Sequence, residues 1–230
     1  MIATEHFVYI HLHKTGGTFV QECLLKAIPG ARYIGYHLPA RRVPLAHKGK
    51  PIVGLVRNPW SYYVSWYTFQ AAKRNSNFLF HILSDGGSNG FEKTIERLLR
   101  LGDGGHDFSL VRQKLPTDYG SRGLNLPASA FDAILRRKSG FYSFLYDHMY
   151  TGAEALHVGK LEEIKTALPR VIEDAGNPPS PILAQLIASG QPRNTSDHAP
   201  YQSYYGEYLR DLIGELDGDL IKQHGYGFSP

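Results

Sequence analysis

Lys14 stands directly before the run Thr15-Gly16-Gly17-Thr18, where a short apolar, β-branched and aromatic stretch, Phe7–Leu12, gives way to a helical pattern. Strand, tight loop and helix in that order predict an anion site. Glycines let backbone N–H groups approach an oxyanion closely, the helix offers the positive end of its dipole, and Lys14 adds a full charge. A plain strand-to-helix turn uses the same residue types, so the loop alone leaves the ligand open. Lys14 precedes both glycines, the reverse of the Gly-x-x-x-x-Gly-Lys-Ser/Thr order of nucleoside triphosphatases, and no second-strand Asp for magnesium stands out. That order argues against a metal-dependent phosphotransferase reading ATP, and no metal site is expected.

A second cation ends another extended segment. Arg57 follows Pro51–Val56 and precedes Asn58-Pro59 and an aromatic helix over Trp60–Lys73, with Ser65 eight positions after the arginine. Eight residues make about two helical turns, so a guanidinium in the loop and a hydroxyl on the helix can converge on one phosphate. Pro59 suits the first helical turn. Among 11 histidines, His37 is the one that follows the segment Arg32–Tyr36, which a parallel arrangement brings to the same sheet edge as both anion loops. A group titrating near neutral pH is a natural general base there; the alternative is that His37 caps the turn Tyr36-His37-Leu38-Pro39. His11 is read as an orienting or packed side chain. His13 is left out of the catalytic set, because alternation along an extended segment points it away from Lys14.

The two constellations together resemble a known family. Ile10-His11-Leu12-His13-Lys14-Thr15-Gly16-Gly17-Thr18 resembles the 5′-phosphosulfate loop of sulfotransferases that use 3′-phosphoadenosine 5′-phosphosulfate (PAPS), and Val56–Tyr67 looks like their 3′-phosphate segment. The similarity continues in Val158-Gly159-Lys160-Leu161-Glu162, where the family usually has Arg at the position of Lys160, in the polar run Asn194-Thr195-Ser196-Asp197-His198, and in the closing Gly225-Tyr226-Gly227-Phe228. The bacterial and carbohydrate-type subgroup is the nearest in pattern; His13 departs from it, standing where proline is common. The resemblance implies that Lys14, Thr15, Gly16, Gly17 and Thr18 bind the 5′-phosphosulfate, that Arg57 and Ser65 bind the 3′-phosphate, and that Lys14 and His37 are catalytic. It also implies PAPS as sulfuryl donor, 3′-phosphoadenosine 5′-phosphate as product, and an acceptor hydroxyl or amine on a glycan or other small molecule. A nucleotide-binding module without catalysis is the alternative from another class.

These residues need a frame. Strands alternating with helices predict an α/β fold with a central parallel sheet, which the resemblance makes a three-layer P-loop-like fold flanked by helices. One domain over 1–230 is expected, with the turn-rich stretch 75–127, around a helix at Phe91–Leu101, as a lid or acceptor-binding insertion. Further helices are predicted at Ala128–Arg137, Leu161–Ala175 and Tyr205–Gln223, and a strand at Leu156–Val158. With 42% hydrophobic residues the chain can fill a substantial core, and a net charge of +4 suits an anionic ligand without demanding a nucleic-acid polymer. The lone Cys23 falls among helical apolar positions and reads as a buried, inert thiol. No apolar run is long enough to span a membrane and no signal-peptide pattern is visible, so a cytoplasmic protein is expected.

Overall fold

A computed structural model describes residues 1–73, 77–190 and 199–229. The chain divides into two compact units, Met1–Arg57 with Tyr146–Asn194, and Asn58–Leu145 with Thr195–Pro230. The stretch 77–127 belongs to the second; residues 75 and 76 of the expected insertion, and the polar run 194–198, lie outside the described residues.

The first unit is built on a five-stranded sheet of β1 (Ile2–Ala3), β2 (Val8–Tyr9), β3 (Arg32–Tyr33), β4 (Ile52–Val56) and β5 (Leu156–Lys160), in the order β3-β1-β2-β4-β5. β4 is parallel to both β2 and β5, whereas β1 is antiparallel to β2 and to β3. The sheet is therefore mixed, which corrects the expectation of a parallel one. The cause is local. Thr4 Oγ1 accepts from the backbone N–H of Phe7 at 3.0 Å and of His6 at 3.2 Å, folding the chain back at once, and so short a connection joins only antiparallel strands. Because β1 is reversed against both its neighbours, β2 and β3 run the same way. The C-terminal ends of β2, β3, β4 and β5 consequently open on one edge of the sheet.

Alternation along the strands sorts the packing. Tyr9, Val53 and Leu55 join Val20, Cys23 and Leu24 of α1 (Gly17–Ala27), Leu168 and Ile172 of the helix Ile164–Asp174, and Leu183 and Ile187 of the helix Pro181–Ser189 in one apolar core. Cys23 sits inside it, 4% exposed, and burial pushes its thiol pKa up, as an inert packing role requires. On the other side of β4, Gly54 lies against the phenol of Tyr150, whose hydroxyl donates to the carbonyl of Leu55 at 3.3 Å.

Among the described residues the second unit is helical and has no strand. Its first helix, α2 (Pro59–Ala71), starts where Asn58 Oδ1 accepts from the N–H of Trp60 and Ser61, with Pro59 in the first turn as expected. Besides the expected helix, found at Phe91–Leu99, the stretch 77–127 contains helices at Phe78–Leu83 and Gly105–Lys114. At the centre of the unit the buried carboxylate of Asp217 accepts from the Tyr63 hydroxyl at 2.7 Å and from the Ser143 N–H at 2.9 Å. Among the described residues no helix is long and apolar enough to cross a membrane.

A Cβ added at Gly54 would lie 2.2 Å from the Tyr150 hydroxyl oxygen, with the phenol ring behind it. Gly54→Ala is expected to destabilise the protein by roughly 1–3 kcal/mol through overpacking. Chemical denaturation measures this, and an unchanged midpoint would contradict the packing.

Candidate functional site

After β2 the chain stays beside β4 for one more step, with the Ile10 N–H donating to Val53 O at 2.9 Å, and then turns sharply. Lys14 at φ 61° and Gly16 at φ 72° both take left-handed backbone. The turn is closed from inside: Thr15 is fully buried and its hydroxyl donates to Leu12 O at 2.7 Å. Thr15 therefore contributes a strut and its backbone, and its hydroxyl is directed inward. α1 then begins with no side chain capping its N-terminus and no acidic residue in its first turn, and Thr18 is exposed there. Lys14, the first-turn N–H groups and the Thr18 hydroxyl are donors suited to an anion.

The two glycines have different duties. Gly16 supplies the left-handed residue that precedes the helix. At Gly17 the room a Cβ would need is filled by the imidazole of His11, whose ring atoms lie 1.8 to 2.1 Å from the Cβ position. On that side the glycine makes way for a histidine.

His11 is one of three neighbouring imidazole rings. His37, in the centre, lies 4.2 Å from His11, tilted at 38°, and 4.0 Å from His13, stacked with planes nearly parallel at 12°. Tyr36 meets His37 edge-on at 4.4 Å. His37 itself has φ 44° and is 7% exposed, and its Nδ1 lies 2.8 Å from the carbonyl oxygen of His11. A carbonyl can only accept, so Nδ1 carries the proton and the neutral ring keeps its lone pair on Nε2. Burial lowers the His37 pKa to about 4, against the opposing effect of the His11 carbonyl. Burial, and after it the charge on His37, hold His11 well below the usual imidazole value. Both rings are neutral at neutral pH.

His13 belongs beside His37, although strand alternation excluded it from the site. The extended backbone on which that alternation rests ends at Lys14, at φ 61°. A signal was present in the sequence: three histidines within one short stretch and one loop of the same sheet edge.

Arg57 ends β4 half-buried, and its Nη1 donates to the carbonyl of Lys14 at 3.4 Å. The structure thus brings Lys14, Thr15, Gly16, Gly17, Thr18, His37 and Arg57 to one sheet edge in the first unit. Ser65 lies on α2 in the second unit and is 5% exposed. Among the described residues no three His, Cys, Asp or Glu side chains are grouped to hold a metal ion. No protein-family model matches the sequence, and no curated protein matches it.

The histidine stack makes stability depend on pH. The folded-state pKa of His37 is depressed to about 4, so on unfolding the ring takes up a proton anywhere between that value and about 6.5. Stability is full above about pH 6.5 and falls as pH drops toward 4, by roughly 3 kcal/mol from His37 alone. Denaturation followed from pH 7 to 4 should show this slope in the native protein and a shallower one in His37→Asn. Equal slopes would mean that His37 is not buried neutral.

Proposed function

We propose that the chain is a sulfotransferase that draws its sulfuryl group from PAPS and delivers it to a hydroxyl or amine, on a carbohydrate or other small molecule. The observation that carries this reading is the meeting, on one sheet edge, of an uncapped helix N-terminus with Lys14 before it, a strand-terminal Arg57 bonded to the Lys14 carbonyl, and a neutral histidine with a defined tautomer. It agrees with the order of motifs that the sequence shares in pattern with PAPS-dependent enzymes. The donor set fits a phosphosulfate: a lysine, first-turn amides, an exposed threonine hydroxyl, and no carboxylate in the turn that would repel an anion.

Bound PAPS supplies an activated sulfuryl group attached to a phosphate leaving group. The residues of the chain do the rest. The first turn of α1 and Lys14 hold the anion and oppose the charge that gathers on the departing oxygen. His37 takes the proton of the acceptor at Nε2 as the acceptor atom bonds to sulfur, while its Nδ1–H stays on the His11 carbonyl and fixes the ring. Arg57 is the cation assigned to the nucleotide's 3′-phosphate, held in reach of the loop by its bond to the Lys14 carbonyl.

Calorimetric titration with 3′-phosphoadenosine 5′-phosphate, AMP and ATP tests the donor. The 3′-phosphorylated nucleotide should bind at least about tenfold more tightly than AMP, as one charge-assisted contact provides. Arg57→Ala should erase that preference, and equal affinities in the native protein, or tighter binding of ATP with magnesium, would remove the basis for PAPS. Turnover tests the base. His37→Ala should fold and lose about 10²–10⁴ in kcat, and because the native ring titrates near pH 4 the native rate should show no acid limb between pH 5 and 7.

A further inference from the structure

The same unit carries a feature that sulfuryl transfer does not use. Between Cys23 and Arg57 the chain holds six lysines and arginines and none of its 21 acidic residues. Within this stretch lie two consecutive single turns of 3-10 helix, Ala40–Arg42 and Leu45–His47, each begun by a proline, Pro39 and Pro44. They are braced by backbone bonds from Arg42 to Pro39, Val43 to Ala40, His47 to Pro44 and Lys48 to Leu45, at 2.8 to 3.2 Å. Ala40, Val43 and His47 are buried and anchor the segment. Leu45, between the last two anchors, is 80% exposed, and Arg41, Arg42 and Lys48 around it are exposed as well.

β3 adjoins this turn, because Arg32 Nη2 donates to His47 Nε2 at 3.2 Å. Among the described residues β3 is an edge strand, paired only with β1, and its Tyr33 is 52% exposed. A rigid turn therefore holds a leucine out in water, next to an exposed tyrosine and a set of cations.

We infer that the turn 39–48, together with β3, docks the protein on an anionic lipid surface. Leu45 enters the headgroup boundary, Tyr33 lies at the interface as tyrosines favour, and Arg41, Arg42, Lys48 and Arg32 meet the lipid phosphates. An acidic polysaccharide or a nucleic acid would engage the cations as well, but a bilayer boundary also gives a single protruding leucine an apolar interior to enter. The apolar tip decides for lipid. With one leucine and a few cations the attachment is reversible, and each cation changes the partition about fivefold.

The test is co-sedimentation of the full chain with phosphatidylcholine vesicles, with and without phosphatidylglycerol, and with a soluble sulfated polysaccharide as competitor. Retention only on the anionic vesicles, lowered about fivefold by Lys48→Ala and at least about tenfold by Leu45→Asp, is the expected result. Both positions are exposed, so the variants should fold, which their denaturation midpoints check. No preference for anionic vesicles would overturn the inference. So would undiminished retention of Leu45→Asp, or capture by the polysaccharide with none by vesicles, since either outcome makes the surface a site for polyanions.

Discussion

The hydrogen bond from His37 Nδ1 to the carbonyl of His11 is the constraint on which the candidate site depends. β2 and β3 point the same way but are not neighbours, because β1 lies between them. Their C-terminal ends therefore gain no ladder bonds from each other. The His37 bond bridges that gap. One contact thereby joins two loops, selects the tautomer and leaves the lone pair on the opposite nitrogen.

Other features follow from accommodating this contact. His37 and Lys14 occupy left-handed backbone at a cost of about 1 kcal/mol each for residues with a side chain. The surrounding bonds over-determine them: Thr15 ties the loop to Leu12, and Arg57 donates to the carbonyl of Lys14 itself. His13 stacks on the His37 ring and His11 lies tilted against it, and burial disfavours the charged form of both His37 and His11. Gly17 completes the arrangement by leaving the space that His11 fills. A loop that reads as a phosphate cradle is, on its inner side, a seat for a histidine.

The parts legible in the sequence are those with a strong local cause. β4 is an unbroken apolar run, α2 begins with an Asn cap and a proline, and α1 carries its apolar residues at helical spacing. Lys14, His37 and Arg57 could be placed on a common edge because that inference needs only strand direction, which the mixed sheet preserves in β2, β3 and β4. The hairpin that makes the sheet mixed was hidden by its size, a two-residue strand and a turn closed by one threonine hydroxyl. In the second unit, Asn77 caps the helix Phe78–Leu83 through Phe80, yet the glycine-rich turns that follow outweigh so short an apolar pattern. The stacking of His13 on His37 was hidden for a different reason: it depends on where the extended chain ends, and only the backbone at Lys14 fixes that.

The chain first passes from one unit to the other at the peptide joining Arg57 to Asn58, and each side is fixed by a different kind of interaction. Before it, β4 is paired through its full length with β5, with Val56 opposite Lys160, so the backbone that carries Arg57 is set by a parallel ladder. After it, Asn58 accepts from Trp60 and Ser61 at the start of α2 and donates through Nδ2 to Gly227 O at 2.8 Å. Asn58 thus pins a helix start to the closing Gly225-Tyr226-Gly227-Phe228 segment, whose Phe228 packs edge-on against Trp60. The Gly-Tyr-Gly-Phe motif has its physical role here, in holding the residue that follows Arg57. In the first unit the parallel ladder sets the backbone that leads into Arg57, and in the second the Asn58 cap sets the start of α2.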